Sequence, residues 1–221
     1  MLTLAFYLIE MLVIVAGESY PATVGDWYAL FQHDTILGLL YINALDIFSI
    51  ALLAPMFLAL YLILRKTHAS YAALGGLFAA IGIPVFVTPR AMMLAVLPLS
   101  ERYAAASTAA EQTQLLAAGE TLSALGAPTP QTIGFLFIAT AVLILSLVML
   151  RSSGFSKATA YVGLLASIFT IADHISLIIA PSLTGPLLGL VLLSWMIWWI
   201  MISRKLLQLG RHPVEVSGGA S

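Results

Sequence analysis

The chain has 221 residues, of which 61% are hydrophobic and only 9% charged. Soluble domains carry about a quarter charged residues, so this much apolar surface exceeds what one soluble core hides, and lipid is the expected solvent. The net charge of −1 points to no nucleic-acid partner, and the absence of cysteine excludes disulfides, thiolate chemistry and cysteine-held zinc or iron–sulfur sites.

A bilayer core about 30 Å thick needs roughly 20 apolar residues in a helix. Six segments approach that length: Leu2–Gly17, Ile36–Leu64, Tyr71–Leu97, Thr132–Leu150, Ala158–Ala180 and Leu187–Ile202. The first has no Lys or Arg before its apolar run and carries Glu10 within it, the reverse of a secretory signal, so it reads as a short first crossing. The second and third are longer than one crossing requires. Pro55, Pro84 and Pro89 inside them predict kinks. Gly75-Gly76 and Gly82 permit close helix approach.

Between the third and fourth segments, Ser107–Leu125 is rich in helix formers, with Leu115, Leu116, Leu122 and Leu125 at helical spacings. Gly126, Pro128 and Pro130 end the run. It reads as a short amphipathic helix on the outer surface or as an extension of the third crossing. Trp195, Trp198 and Trp199 lie toward the end of the sixth segment, as interfacial anchors do, with Trp27 and Tyr28 in the same role on the other side. Residues 1–211 read as one transmembrane domain and 212–221 as a disordered cytoplasmic tail.

Basic residues set the orientation. Arg65 and Lys66 follow the second segment, Arg151 and Lys157 flank the gap after the fourth, and Arg204, Lys205 and Arg211 follow the sixth. The gap after the first has Glu18, Asp26, His33 and Asp34 with no Lys or Arg, and that after the fifth has no charge. The gap after the third sets Arg102 against Glu101, Glu111 and Glu120. Basic residues concentrate in cytoplasmic loops. The expected fold is therefore all-α: an integral membrane bundle of six transmembrane helices with a short outer amphipathic helix. It would lie in the cell (inner) membrane with both termini cytoplasmic.

Ionisable residues within spans suggest function or a pairing need. At about 1.5 Å per residue, Asp46 and Arg90 each lie roughly 30 Å from the turn joining their segments, so they share a depth and are candidates for an ion pair or ligand site. Asp173 and His174 lie about 24 Å from Lys157, also in the outer half. Adjacent residues on a helix point about 100° apart, so these two face one partner only in a broad site. His174 reads as a hydrogen-bonded core residue, a proton relay or a metal ligand. His33 is the other histidine able to join it, and both are weak metal candidates because no ligand motif accompanies them. Together, Asp46, Arg90, Asp173 and His174 suggest an outward-facing polar cavity roofed by the acidic helix of Glu111 and Glu120. No phosphate loop, GxSxG element or selectivity filter is present. Ser176 and Ser194 read as helix–helix hydrogen bonds.

A faint repeat links Leu64-Arg65 followed by Ala72-Ala73-Leu74-Gly75 with Leu150-Arg151 followed by Ala160-Tyr161-Val162-Gly163. The chain also resembles the bacterial multi-pass membrane proteins grouped as domain of unknown function 4386. The resemblance rests on Leu45-Asp46-Ile47 through Leu62-Ile63-Leu64-Arg65, the third segment, the acidic stretch near Glu120, and Leu150-Arg151-Ser152-Ser153-Gly154-Phe155. It implies fold and membrane location and no activity. The expected function is non-enzymatic: small-molecule or lipid binding, sensing or assembly, with the bilayer and a small hydrophobic or amphipathic ligand as partners and no cofactor. The alternatives are a proton-coupled carrier using the Asp/Arg/His set and an intramembrane metal-dependent hydrolase.

Overall fold

The computed structural model describes residues 5, 6, 9, 21–125 and 128–211, and among these every regular element is helical. In chain order they are α1 (Val24–His33), α2 (Thr35–Tyr41), α3 (Ala44–Ala51), α4 (Leu53–Met93), α5 (Val96–Ala105), α6 (Ala109–Leu125), α7 (Pro128–Met149), α8 (Lys157–Ile179), a 3-10 turn (Pro181–Leu183) and α9 (Thr184–Arg211). The expected first crossing lies almost wholly, and the expected tail wholly, outside the described residues.

Local chemistry sets the helix ends. Thr23 and Asp26 form a reciprocal capping box at the start of α1. The Thr23 hydroxyl, and then its backbone N–H, hold the Asp26 carboxyl below its ordinary value. Asp34 ends α1 and caps α2, its carboxylate accepting the Leu37 N–H at 2.9 Å. Asn43 separates α2 from α3 in the left-handed region (φ 54°, ψ 48°), a conformation that Asn tolerates better than most residues. Ser156 caps α8 by accepting the Thr159 N–H at 3.1 Å.

The expected second and third segments run into one helical stretch, Ala44–Ala105, of 62 residues. A straight helix of that length would reach about 93 Å, three times the hydrocarbon core. The stretch is broken at His68, the one residue inside α4 with non-helical dihedrals (φ −154°, ψ 95°). This break falls between the expected second and third segments, in the turn that joins them. Pro84 and Pro89 lie inside α4 with helical dihedrals kept around them, and Pro55 stands in its first turn, where a missing N–H removes no helix bond. Among the described residues, four helical stretches are long and apolar enough to cross a membrane: Ala44–Ala105, Gln131–Arg151, Lys157–Leu177 and Thr184–Gly210.

The burial pattern is that of helices in lipid. On α8 the exposed stripe is Tyr161, Leu165, Ile168, Ile175 and Ile179, whereas the covered stripe is Ala160, Gly163, Ala166, Ser167, Thr170, Asp173 and Ser176. Small and polar groups inside with large apolar groups outside reverses the soluble arrangement. It is what van der Waals packing between membrane helices favours.

The chain divides into two compact units. One comprises Ala59–Gly75 with the chain from Val142; the other comprises the chain up to Leu58 with Gly76–Ala141. In the first, Trp198 is fully buried and Trp195 nearly so. Gly163 on α8 makes room for Trp198, since a Cβ there would collide with it and with Ser146 of α7. In the second, α1, α2 and α5 enclose Val24, Trp27, Tyr28, Phe31, Tyr41, Ile42 and Val96. The tryptophans and Tyr28 thus pack against protein rather than anchoring at head groups. Helix α6 turns Leu115, Leu116, Gly119 and Leu122 inward, and Leu116 and Leu122 pack on this cluster. Tyr28 lies so close over Gly119 that a side chain there would collide with it. Its hydroxyl donates to the Leu115 carbonyl at 2.7 Å. The second arm of α4 meets α7 at Gly82, beside Gly134 and Ile138.

Candidate functional site

The two intramembrane polar groups fall in different units, and each is built by a different local device. The first is a closed ion pair. Asn43 interrupts the helix, so α2 ends at Tyr41 with Ile42 as its C-cap and α3 begins at Ala44. The break puts Asp46 in the first turn of α3, where the helix dipole favours a carboxylate, with the Ile42 carbonyl just before it. Arg90, from the second arm of α4, reaches both: Nη2 lies 3.1 Å from Asp46 Oδ2 and Nη1 donates to the Ile42 carbonyl at 3.5 Å. Its guanidinium also stands 5.1 Å from the Phe86 ring centre. The Arg90 and Asp46 side chains are only 12% and 14% exposed. Charges so sheltered persist because they are paired, hydrogen-bonded and stacked.

The second group lies on α8 and α9. Thr170, Asp173 and His174 stand at helical spacings of three and four, so one face carries all three. His174 Nδ1 is 2.8 Å from the Thr170 carbonyl. A carbonyl only accepts, so Nδ1 carries the proton. Asp173 Oδ2 is 3.7 Å from the same nitrogen, too far for a good hydrogen bond. The Asp173 side chain is 7% exposed, and its Oδ1 is fully buried with no hydrogen-bond partner among the described residues. Trp195 of α9 donates its indole N–H to the Thr170 hydroxyl at 2.8 Å, and that hydroxyl donates to the Ala166 carbonyl. Ser176 donates to the Asp173 carbonyl at 2.7 Å and meets the Thr184 hydroxyl at 3.3 Å. Ser194, by contrast, bonds back onto its own helix, at Leu190 and Val191.

The remaining sequence candidates lie elsewhere. His33 and Asp34 are exposed at the α1–α2 junction, where Asp34 serves as a cap. Glu111 is exposed and accepts the Ser107 N–H at the start of α6. Among the described residues, no three His, Asp or Glu side chains gather closely enough to hold a metal ion. From the sequence Thr170 has no assigned role, and Trp195 reads as an interfacial anchor rather than as a partner of this group. Thr170 had a readable signal, a hydroxyl three and four residues before Asp173 and His174 on one helix. Trp195 had none, because its partner lies on another helix.

Membrane-length apolar helices with covered small and polar stripes define an all-helical membrane protein. Residues 3–202 match the family model described as Domain of unknown function (DUF4386), and the chain belongs to that family. Comparison with curated proteins and with solved structures finds no match.

Proposed function

We propose that this protein is a non-enzymatic, six-span protein of the cell (inner) membrane, with both termini cytoplasmic. In this reading it binds a small amphipathic cation at Asp173. The observation that carries the reading is the buried Oδ1 of Asp173, which has no hydrogen-bond partner among the described residues while Asp46 is held by Arg90. Burying a carboxylate oxygen without a partner is costly, and a ligand cation would remove that cost. Thr170, His174 and Trp195 give such a ligand a polar and aromatic wall. The same Asp173 and His174 contact at 3.7 Å favours proton-coupled transport as the second reading, since a carboxylate and an imidazole side by side can pass a proton.

The lipophilic cation tetraphenylphosphonium tests the site. It should raise the Tm of the purified protein and fail to raise that of Asp173→Asn. Equal shifts in both, or none in either, would sink the binding reading. Proton uptake coupled to that cation in proteoliposomes, lost in Asp173→Asn, would favour the carrier. The orientation follows from the basic turns: a reporter after Arg211 should read cytoplasmic and one within Ser107–Leu125 external. A cytoplasmic signal from the latter would overturn the six-span topology.

A further inference from the structure

A groove of about 330 Å³ lies between the start of the second arm of α4 and the end of α7, away from Asp173 and outside the reading above. His68, Tyr71 and Leu74 line one wall; Ile144, Leu147, Val148 and Arg151 line much of the other. The size falls within the range of about 300–1,000 Å³ usual for ligand sites.

Both walls grade in the same direction. Along α4 the lining passes from imidazole to phenol to Leu in steps of three residues. Along α7 it passes from Arg151 to Leu147 to Ile144 at helical spacing. One end therefore holds His68, Tyr71 and Arg151, and the other, about 10 Å away along the helix, is wholly aliphatic. Tyr71, Leu74, Leu147 and Arg151 are exposed, so the groove opens onto the surface that the apolar stripes assign to lipid.

The polar end is strongly cationic. Its two turns carry Arg65, Lys66, Arg151 and Lys157 and no Asp or Glu. His68 sits at the break in α4, rests against the Tyr71 ring at 4.4 Å between centres, and has a buried Nδ1 with no hydrogen-bond partner among the described residues. A site apolar at one end, cationic at the other and open sideways to the membrane fits a molecule that is anionic at its head and aliphatic along its tail. We infer that the groove is a seat for an anionic glycerophospholipid, its phosphate at Arg151 and His68 and one acyl chain along Leu74, Leu147 and Ile144. Basic pockets between membrane helices bind acidic lipid head groups by the same complementarity. The planar guanidinium of Arg151 suits a phosphate especially well.

Native mass spectrometry of the protein in a neutral detergent tests this with phosphatidylglycerol, with phosphatidylcholine of the same chains, and with glycerol phosphate alone. Phosphatidylglycerol should be retained at least tenfold better than phosphatidylcholine, and glycerol phosphate not at all. Arg151→Gln, at an exposed position that should leave folding intact, should weaken phosphatidylglycerol about tenfold. Leu147→Trp, which fills the apolar end without touching a charge, should weaken it comparably, whereas Lys157→Gln, outside the groove, should change it much less. Equal retention of the two lipids, or indifference to Arg151→Gln, would overturn the proposal. Retention of glycerol phosphate as strong as that of the lipid would overturn the acyl seat. The Asp173 site and the topology play no part in these outcomes.

Discussion

Asp46 and Asp173 are both carboxylates within apolar helices, and their surroundings differ in kind. Asp46 faces Arg90 at 3.1 Å, and the same guanidinium donates to the Ile42 carbonyl beside the helix break at Asn43 and lies against Phe86. The two charges of that corner answer one another, although Arg90 Nε and Asn43 Oδ1 are buried with no hydrogen-bond partner among the described residues. Asp173 has a neighbouring imidazole already committed to Thr170 and an Oδ1 with no hydrogen-bond partner among the described residues. The lesson is one of satisfaction rather than residue type. A carboxylate paired with a guanidinium is part of the scaffold, and removing it should weaken the scaffold. A carboxylate without an opposite charge of that kind is where we propose that a ligand binds, and removing it should cost binding more than stability.

Substitutions can break that contrast. The largest effect should come from Asp46→Asn, which leaves Arg90 sheltered and unpaired. Losing one partner of a buried pair costs about 3–5 kcal/mol, measurable by unfolding in detergent, and the partial exposure here places the expectation at the lower end. A loss under about 1 kcal/mol would show the pair to be solvated and the contrast false.

Gly163→Val sharpens the comparison from the Asp173 side. The added side chain would strike Trp198 and Ser146, and overpacking of this kind costs about 1–3 kcal/mol. Gly185→Ala, with open space around it, should leave the Tm unchanged. A tolerated Gly163→Val would mean that α8 and α9 are not closely fitted, and that Asp173 is not held in a fixed place.

Tyr28→Phe removes a hydrogen bond to Leu115 and should cost about 1 kcal/mol. Burial, and then the neighbouring Tyr103, raise the Tyr28 phenol above the ordinary tyrosine value. The stabilisation it gives is therefore full below the unfolded tyrosine pKa and is lost as pH rises through the folded value. Ultraviolet titration should show one phenol ionising late and vanishing in Tyr28→Phe; a wild-type curve unchanged by the substitution would contradict the burial argument. Asp173→Asn should have a smaller effect still. Its Oδ1 has no bond to lose, so stability should change by less than about 1 kcal/mol. A loss matching that of Asp46→Asn would make the two carboxylates alike.

Much of this was legible in the residues, for identifiable reasons. The rise of a helix is fixed, so counting from Lys66 and Ser70 brings Asp46 and Arg90 to one depth before any coordinates are known. The break that lets Arg90 reach Ile42 depends on a single left-handed Asn43, visible only as a polar residue amid apolar ones. The turn between the second and third segments was legible from Arg65 and Lys66, although the residue that breaks the helix there, His68, carries no breaker signal of its own. Tryptophans near a span end look the same whether they face head groups or a neighbouring helix. Gly163, opposite Trp198, decides between these, and that pairing is tertiary. The lipid groove was hidden for the same reason, since its polarity gradient exists only when α4 and α7 lie side by side.

The contrast rests on direct coupling between Asp46 and Arg90, and a double-mutant cycle measures it. Unfolding free energies of wild type, Asp46→Asn, Arg90→Gln and the double variant in one detergent supply the four corners. The double variant should recover part of the summed single losses, giving a coupling of about 2 kcal/mol or more. Losses that simply add would contradict the closed pair, and with it the distinction between a carboxylate that holds the fold and one proposed to bind a ligand.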